Sequence, residues 1–494
     1  MKRGNRNLIA VTLLILLGIL VLFFWRATTR EPYDCMDCNL IIISATNLRA
    51  DHLGAYGYNR DTSPKMDNLA ENSLVFEDAY AQASWTLPSG ASLLTSLYPY
   101  EHNVMNRLSG VPAYPDLLSP DIVTLSDVLK KNGYETAIFS GGFDYSPRYG
   151  VITRFDKVVT APENKFNVFG YGTLNSTVPT AIKWLIENKD EKFFLFVQGF
   201  DAHCPFNPPN EFDKFTSDYN GPIDRNKCYV TFNETEPIKA NGTKYYIVNS
   251  TSLNKTTLSI MYDNALIDEQ DIKYLVDSYD GEIRFADAMI GELLKTLREL
   301  GLSDKTIIVI VSEHGDMFGK HGKFMRGGIT RGIFYDDVLH VPLIIKHPNL
   351  EPKRVEGLSQ LIDVMPTLLD FLNVKTNAEL QGKSLMPLIA NGEQVNEHVF
   401  AGMIFKPGPQ NIFFKQPTRL DSIRNNDWKL IREIVYSAEI PHTIESTSYE
   451  LYNLKEDPEE LKNAYGEDQN VFSELNSKLL EWFNQMVVDP YELE

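Results

Sequence analysis

Groups able to do ester chemistry crowd around Thr86. The chain reads A-S-W-T-L-P-S-G-A-S-L-L-T-S-L-Y-P over 83–99, with Pro88 two residues after Thr86 and an apolar run behind Ser89 and Gly90. Proline suits the first turn of a helix, where its missing N–H costs nothing, and the free backbone N–H groups of that turn attract anions. The spacing therefore predicts a helix whose positive end carries the Thr86 hydroxyl, a good position for a nucleophile attacking a sulfate or phosphate ester. The same letters also describe an ordinary helix cap, in which the hydroxyl only accepts a backbone N–H.

Four further stretches carry polar residues of the right types. They are S-A-T-N-L-R-A-D-H-L-G at 44–54, D-A-H-C-P-F at 201–206, S-E-H-G-D at 312–316 and R-G-I-F-Y-D-D at 331–337. Glu313 and His314 offer an oxygen and an imidazole nitrogen to a metal. His203 is a candidate to protonate a leaving-group oxygen or to bind the ester, and Arg331 to clamp its negative charge. Each has an ordinary alternative: an exposed polar turn for Glu313–His314, a turn histidine for His203, a surface arginine for Arg331. Their shared placement at strand ends is the stronger signal.

The elements that must position them follow from the apolar pattern. N-L-I-I-I-S at 39–44, K-F-F-L-F-V-Q-G-F at 192–200, T-I-I-V-I-V-S at 306–312 and V-P-L-I-I-K at 341–346 are short apolar runs. Such runs form strands buried on both faces of a parallel sheet. Between them, 124–134, 177–188 and 280–300 have helical periodicity, and E-T-A-I-F-S at 135–140 adds a strand. This alternation implies an α/β doubly wound, mostly parallel sheet flanked by helices, whose ligands sit at the carboxyl ends of the strands. After about residue 395 the texture changes. W-K-L-I-R-E-I-V-Y at 428–436, Y-E-L-Y-N-L at 449–454 and a helix over 471–486 suggest a small C-terminal α+β subdomain. The expected division is a main domain at 39–395 and a subdomain at 396–494.

Composition bounds the setting. The chain has 494 residues, 43% of them hydrophobic, enough for a sizeable core, and a formal charge of −19 that argues against a nucleic-acid partner. Lys2, Arg3 and Arg6 precede an uncharged apolar run at 8–25. Eighteen helical residues rise about 27 Å, close to a bilayer core. This reads as an uncleaved signal anchor with a cytoplasmic tail at 1–7, a tether at 26–38 and everything beyond it outside the cell. The expected location is the cell membrane, in a single pass. Sequons at Asn175, Asn233, Asn241, Asn249 and Asn254 suit a glycosylated exterior. Cys35 and Cys38 form a C-x-x-C and Cys204 lies near Cys228, so one or two disulfides are expected, with free thiols as the alternative.

The stretch T86-L-P-S-G90 followed by A-S-L-L-T-S resembles the C-x-P-S-R…L-L-T-G signature of the sulfatase family, in the alkaline phosphatase superfamily. L-R-A-D-H-L-G-A-Y-G-Y at 48–58, E-H-G-D-M-F-G-K-H-G at 313–322, H-V-P-L-I-I at 340–345, L-I-D-V-M-P-T-L-L-D at 361–370 and L-Y-N-L-K-E-D-P-E-E at 451–460 continue the resemblance in order. It implies a hydrolase of sulfuric, or phosphoric or phosphonic, esters on glycans or other surface polymers. Thr86 takes the nucleophile position, Ser89, His203 and Arg331 the ester, and Glu313, His314, Thr46 and Asn47 a divalent metal, calcium first and manganese or zinc next.

Several letters depart from the family: Glu313 stands for an aspartate and Arg331 for the commoner lysine, both keeping the charge, and three more change the chemistry. Thr86 replaces the cysteine that becomes formylglycine, and a secondary alcohol oxidises to a ketone, so no formylglycine is expected. Gly90 replaces an arginine. Thr46 replaces an aspartate that ligates the metal, which removes a full charge from the cage. A threonine ester needs water or an alcohol to release it, chemistry familiar for phosphorus. The alternative implied by these losses is a non-catalytic protein that binds sulfated or phosphorylated glycans.

Overall fold

The computed structural model describes residues 33–106, 116–161, 172–216, 219–221, 225, 269–322, 333–406, 416–439 and 442–486, and the backbone alone of 238–240 and 243–245. The apolar run at 8–25, most of the tether, Cys228, Arg331 and the sequons at Asn233, Asn241, Asn249 and Asn254 lie outside the described residues. Among the described residues no helix is long and apolar enough to cross a membrane. Asn175 is described, and it is exposed.

The strands are β1 (Asn39–Ala45), β2 (Leu74–Tyr80), β3 (Glu135–Ser140), β4 (Lys157–Thr160), β5 (Phe193–Gly199), the hairpin β6 (Ile238–Ala240) and β7 (Thr243–Tyr245), β8 (Thr306–Val311), β9 (Leu343–Lys346), β10 (Lys353–Gln360), β11 (Val399–Phe405), β12 (Thr418–Arg424), β13 (Trp428–Tyr436) and β14 (Ile444–Asn453). Eight of them form one sheet in the order β10-β2-β9-β8-β1-β5-β3-β4. β1 lies at its centre, parallel to β5 and to β8, so that Ser44 stands beside Gln198 and Val311. The sheet is mostly parallel, as the sequence implies. β9 is the exception, antiparallel to both β2 and β8.

Every residue of β1 is buried, and alternate side chains feed two cores. Leu40 and Ile42 join one, Ile41 and Ile43 the other. That explains the unbroken apolar run: a strand covered on both faces has no solvent side to mark with polar residues. The helices divide accordingly. α1 (Pro64–Ala70), α4 (Leu174–Glu187) and α5 (Glu269–Glu299) pack on the Ile41 face. α2 (Thr86–Thr95), α3 (Leu125–Lys131) and α6 (Gln469–Asn484) pack on the Leu40 side. α5 begins eleven residues before the periodic stretch expected at 280. Its first turns carry Asp271, Asp277 and Asp280, buried acids that mask the apolar rhythm.

A second, antiparallel sheet, β11-β12-β13-β14, follows with α6 against it. Its apolar residues merge with the Leu40 core rather than forming one of their own. Cys35 and Cys38 are joined as a disulfide, and the Cys35 N–H donates to Phe371 O at 2.7 Å, tying the start of the described chain to the core. Cys204 is disulfide-bonded as well, and Cys228, the partner the sequence offers, is outside the described residues.

Candidate active site

The carboxyl ends of β1, β5 and β8 bring three of the singled-out stretches together, and α2 faces them. Thr86 is the first residue of α2, while Trp85 is its cap residue and supplies no side-chain cap bond. The hydroxyl is therefore not spent on capping. Thr86 Oγ1 lies 3.0 Å from His314 Nε2, and His314 Nδ1 lies 2.8 Å from the carbonyl of Gly315. A carbonyl only accepts, so Nδ1 carries the ring hydrogen and Nε2 presents its lone pair to the threonine. Thr86 donates to His314. This is the arrangement of a nucleophile and its base, with the base oriented by a third group.

Glu313 sits beside this pair, fully buried. Its Oε1 accepts from Ser44 Oγ at 2.6 Å and its Oε2 from Thr46 Oγ1 at 3.1 Å. Thr46 Oγ1 in turn accepts from Gln198 Nε2 at 2.8 Å. Burial pushes the Glu313 carboxyl above its ordinary value, against the donors Ser44, Tyr145 and Thr46 that favour the charge. Asn47, at a φ of 71°, donates from Nδ2 to Asp316 Oδ2 at 2.7 Å, and Tyr279 Oη donates to its carbonyl at 2.7 Å. A positive φ is tolerated by asparagine better than by most residues, so the turn after β1 holds this side chain inward.

The remaining candidates fare differently. His203 follows β5 with Nδ1 donating to Cys204 O at 2.6 Å and its ring edge-on to Phe200. Asp201 accepts the Leu174 N–H at 2.8 Å and so anchors the start of α4. Burial raises its carboxyl to about 7. Ser89, expected at the ester, is fully buried and donates to Ala83 O at 2.8 Å, a bond that fastens the loop entering α2. Arg331 lies outside the described residues.

Three site residues were not singled out from the sequence. Gln198 had a signal, a polar side chain in the otherwise apolar F-F-L-F-V-Q-G strand. Ser44, at the end of β1, had a weaker one. Tyr145 had none, because it reaches the site from a loop after β3.

With this geometry in view, the comparisons with known proteins are decisive. The "Sulfatase" family model matches residues 38–374. The chain belongs to the sulfatase family. A second model, "N-sulphoglucosamine sulphohydrolase, C-terminal", matches residues 319–487 of this sulfatase. Its relatives include arylsulfatase K of Xenopus laevis, 24% identical, with 84% of this chain and 77% of the relative covered. Another is a delta 4,5-hexuronate-2-O-sulfatase of Bacteroides thetaiotaomicron, 23% identical over 86% of this chain and 84% of the relative. Among solved structures, a phosphonate monoester hydrolase of Agrobacterium radiobacter matches with a TM-score of 0.68 at 21% identity, covering 91% of this chain and 96% of its own. A 2-O GAG sulfatase matches with a TM-score of 0.68 at 20% identity, covering 93% and 94%.

The family resemblance implies a divalent ion, which the donors at this site would have to hold. Thr46, Asn47, Glu313 and His314 all follow the carboxyl ends of β1 and β8, and of the four only Glu313 is a carboxylate. Both its oxygens are engaged by hydroxyls, and His314 Nε2 is engaged by Thr86. Asn47 Oδ1 is buried without a hydrogen-bond partner, but one neutral amide oxygen is far short of the six to eight oxygens calcium takes. Among the described residues no three His, Cys, Asp or Glu side chains converge as a metal-holding group. The residues present do not fit a resident divalent ion.

Proposed function

We propose that this sulfatase-family chain takes a sulfuric, phosphoric or phosphonic ester, carried on a glycan or other surface polymer, into the cleft at the strand ends and cleaves it with Thr86 as nucleophile. The observation that carries this reading is the 3.0 Å pairing of Thr86 Oγ1 with His314 Nε2. In the first step the Thr86 proton passes to His314 Nε2, a bond forms from Oγ1 to sulfur or phosphorus, and the ester oxygen leaves. His203 is the candidate to give that oxygen its proton, and Arg331 the candidate to hold the anion. In the second step water attacks the threonine ester and gives a proton to His203, the bond from sulfur or phosphorus to Oγ1 breaks, and Thr86 is regenerated with its proton coming back from His314. This second displacement favours phosphorus over sulfur. The relatives act, by their names, on sulfate esters, and two structural neighbours on phosphonate monoesters. The N-terminal apolar run would hold the domain outside the cell membrane.

A second reading, binding of sulfated or phosphorylated glycans without turnover, is favoured by Glu313 being the one carboxylate among Thr46, Asn47, Glu313 and His314, and by Gly90. One experiment separates the two. The full-length chain, in detergent, is assayed on sulfate, phosphate and phosphonate monoesters and diesters beside an active family member. Turnover that falls about 10²-fold or more in both Thr86→Ala and His314→Gln supports hydrolysis, the range expected for a lost proton-transfer partner. No turnover, with sulfated-glycan binding kept in Thr86→Ala, establishes the second reading.

A further inference from the structure

Three hydroxyl groups close around Glu313. Ser44 and Thr46 donate one to each carboxylate oxygen, at 2.6 and 3.1 Å. The third is Tyr145, fully buried, whose Oη faces Glu313 without completing a well-aligned bond. Tyr145 is there because residue 90 has no side chain. A Cβ at Gly90 would meet the Tyr145 hydroxyl outright, and the ring atoms Cζ and Cε1 at 2.7 and 3.2 Å. Real Cβ atoms essentially never approach that closely, so any side chain at 90 requires the Tyr145 ring to shift. Gly90 and Tyr145 are a matched pair.

We infer that this site is completed by protein hydroxyls instead of a divalent ion, with Ser44, Thr46 and Tyr145 supplying the positive ends of dipoles to Glu313 that a cation would otherwise supply. The charge count agrees. Of Thr46, Asn47, Glu313 and His314 only Glu313 is a carboxylate, and the nearby Asp316 is engaged by Asn47, so a dication held by these four would be poorly compensated in a buried site, an arrangement that burial opposes. The hydrogen-bond count agrees too. Thr46 Oγ1 already accepts from Gln198 and donates to Glu313, which leaves it little to offer an ion. Catalytic zinc sites need three protein ligands, and here His314 and Glu313 supply two, each already engaged. The inference does not depend on whether Thr86 turns over an ester.

The test uses the full-length wild-type chain, purified in detergent without added metal. Its metal content is measured by mass spectrometry. It is then titrated calorimetrically with calcium, manganese and zinc in turn, and melted with chelator and with each metal. The expected result is substoichiometric metal, no saturable heat up to about 1 mM, the weak limit of extracellular calcium modules, and an unchanged Tm. One equivalent of bound metal, lost in Glu313→Gln, overturns the inference while leaving the Thr86 chemistry to its own assay. A second variant tests the hydroxyl's role. Thr46→Asp sets a second carboxylate against Glu313 and is expected to lower the Tm in chelator. An unchanged Tm there would overturn the claim that the Thr46 hydroxyl supports this site.

Discussion

Thr86 and Gly90 sit four residues apart in one helix, and between them they set what the site can do. Thr86 keeps its hydroxyl free of capping duty because Trp85 occupies the cap position, and Oγ1 pairs with His314 instead. Gly90 departs from helix preference, since glycine inside a helix costs about 0.5–1 kcal/mol relative to alanine. On propensity alone Gly90→Ala should stabilise. The Tyr145 ring forbids it, because a new methyl would overpack a core in which every residue of α2 is buried. Overpacking of this kind costs about 1–3 kcal/mol. Gly90→Ala is therefore expected to destabilise despite its better helix propensity, as read by urea or thermal unfolding. A gain in stability would show that Tyr145 does not hold this position.

The next scale up is the set of turns that end the strands. β1, β5 and β8 run parallel in register, so Thr46, Asp201 and Glu313 emerge side by side without any long-range loop having to find its place. The segment after Arg331 is fixed differently. Asp336 lies 2.7 Å from the Lys429 ammonium on β13, which also lies 2.7 Å from Glu460, while the Asp336 N–H donates to Glu460 Oε2 at 2.6 Å. Lys429 is 1% exposed, so this triad joins the two sheets through a buried charge. Lys429→Met would leave Glu460 without this cation and Asp336 with Arg424 alone, 3.6 Å away. Breaking a buried ion pair by removing one partner costs about 3–5 kcal/mol, and denaturant unfolding of the full-length chain should show a loss of that size. A change under about 1 kcal/mol would mean that solvent reaches the triad. Much at this scale is legible in the sequence: β3, at Glu135–Ser140, and β13, at Trp428–Tyr436, fall where the apolar pattern puts them. The antiparallel turn of β9 and the arrival of Tyr145 are not, because pairing direction and loop reach depend on tertiary packing and leave no period along the chain. The motif residues Thr86, Glu313 and His314 are legible as site residues. That two of them bond to each other is a fact of the fold.

At the scale of the molecule, burial and charge together decide how stability responds to pH. The chain carries a formal charge of −19, and several of its carboxyls lie inside. Burial raises Asp201, Asp287 and Glu460 to about 7 and Asp363 to about 6. Asp51 and Asp336 go the other way. Burial would raise Asp336, but Arg424 and Lys429 hold it below the usual carboxylate range, and Arg49 does the same for Asp51, whose side chain is exposed. The raised group stays protonated in the folded chain at pH values where the unfolded chain has released those protons. Folding then takes up protons, and stability falls as pH rises from the unfolded value near 4 through the folded values of 6 to 7. The lowered pair acts in the opposite window: its contribution is complete above the unfolded value and is lost as pH falls below about 4. Self-repulsion of a strongly acidic chain reinforces the first slope, because acidification removes negative charge. The full-length protein is therefore expected to melt at a higher temperature near pH 5 than near pH 7.5, and to lose stability again below about pH 4. Asp201→Asn supplies the control. Its Oδ2 accepts the backbone N–H of Leu174, and its Oδ1 is buried without a hydrogen-bond partner, so an amide keeps the Leu174 bond and removes the titration. The variant should flatten the slope between pH 5 and 7.5 without abolishing it, since Asp287, Asp363 and Glu460 remain. A melting temperature that rises steadily from pH 5 to 7.5 would mean that these carboxyls are ionised and solvated in the folded chain.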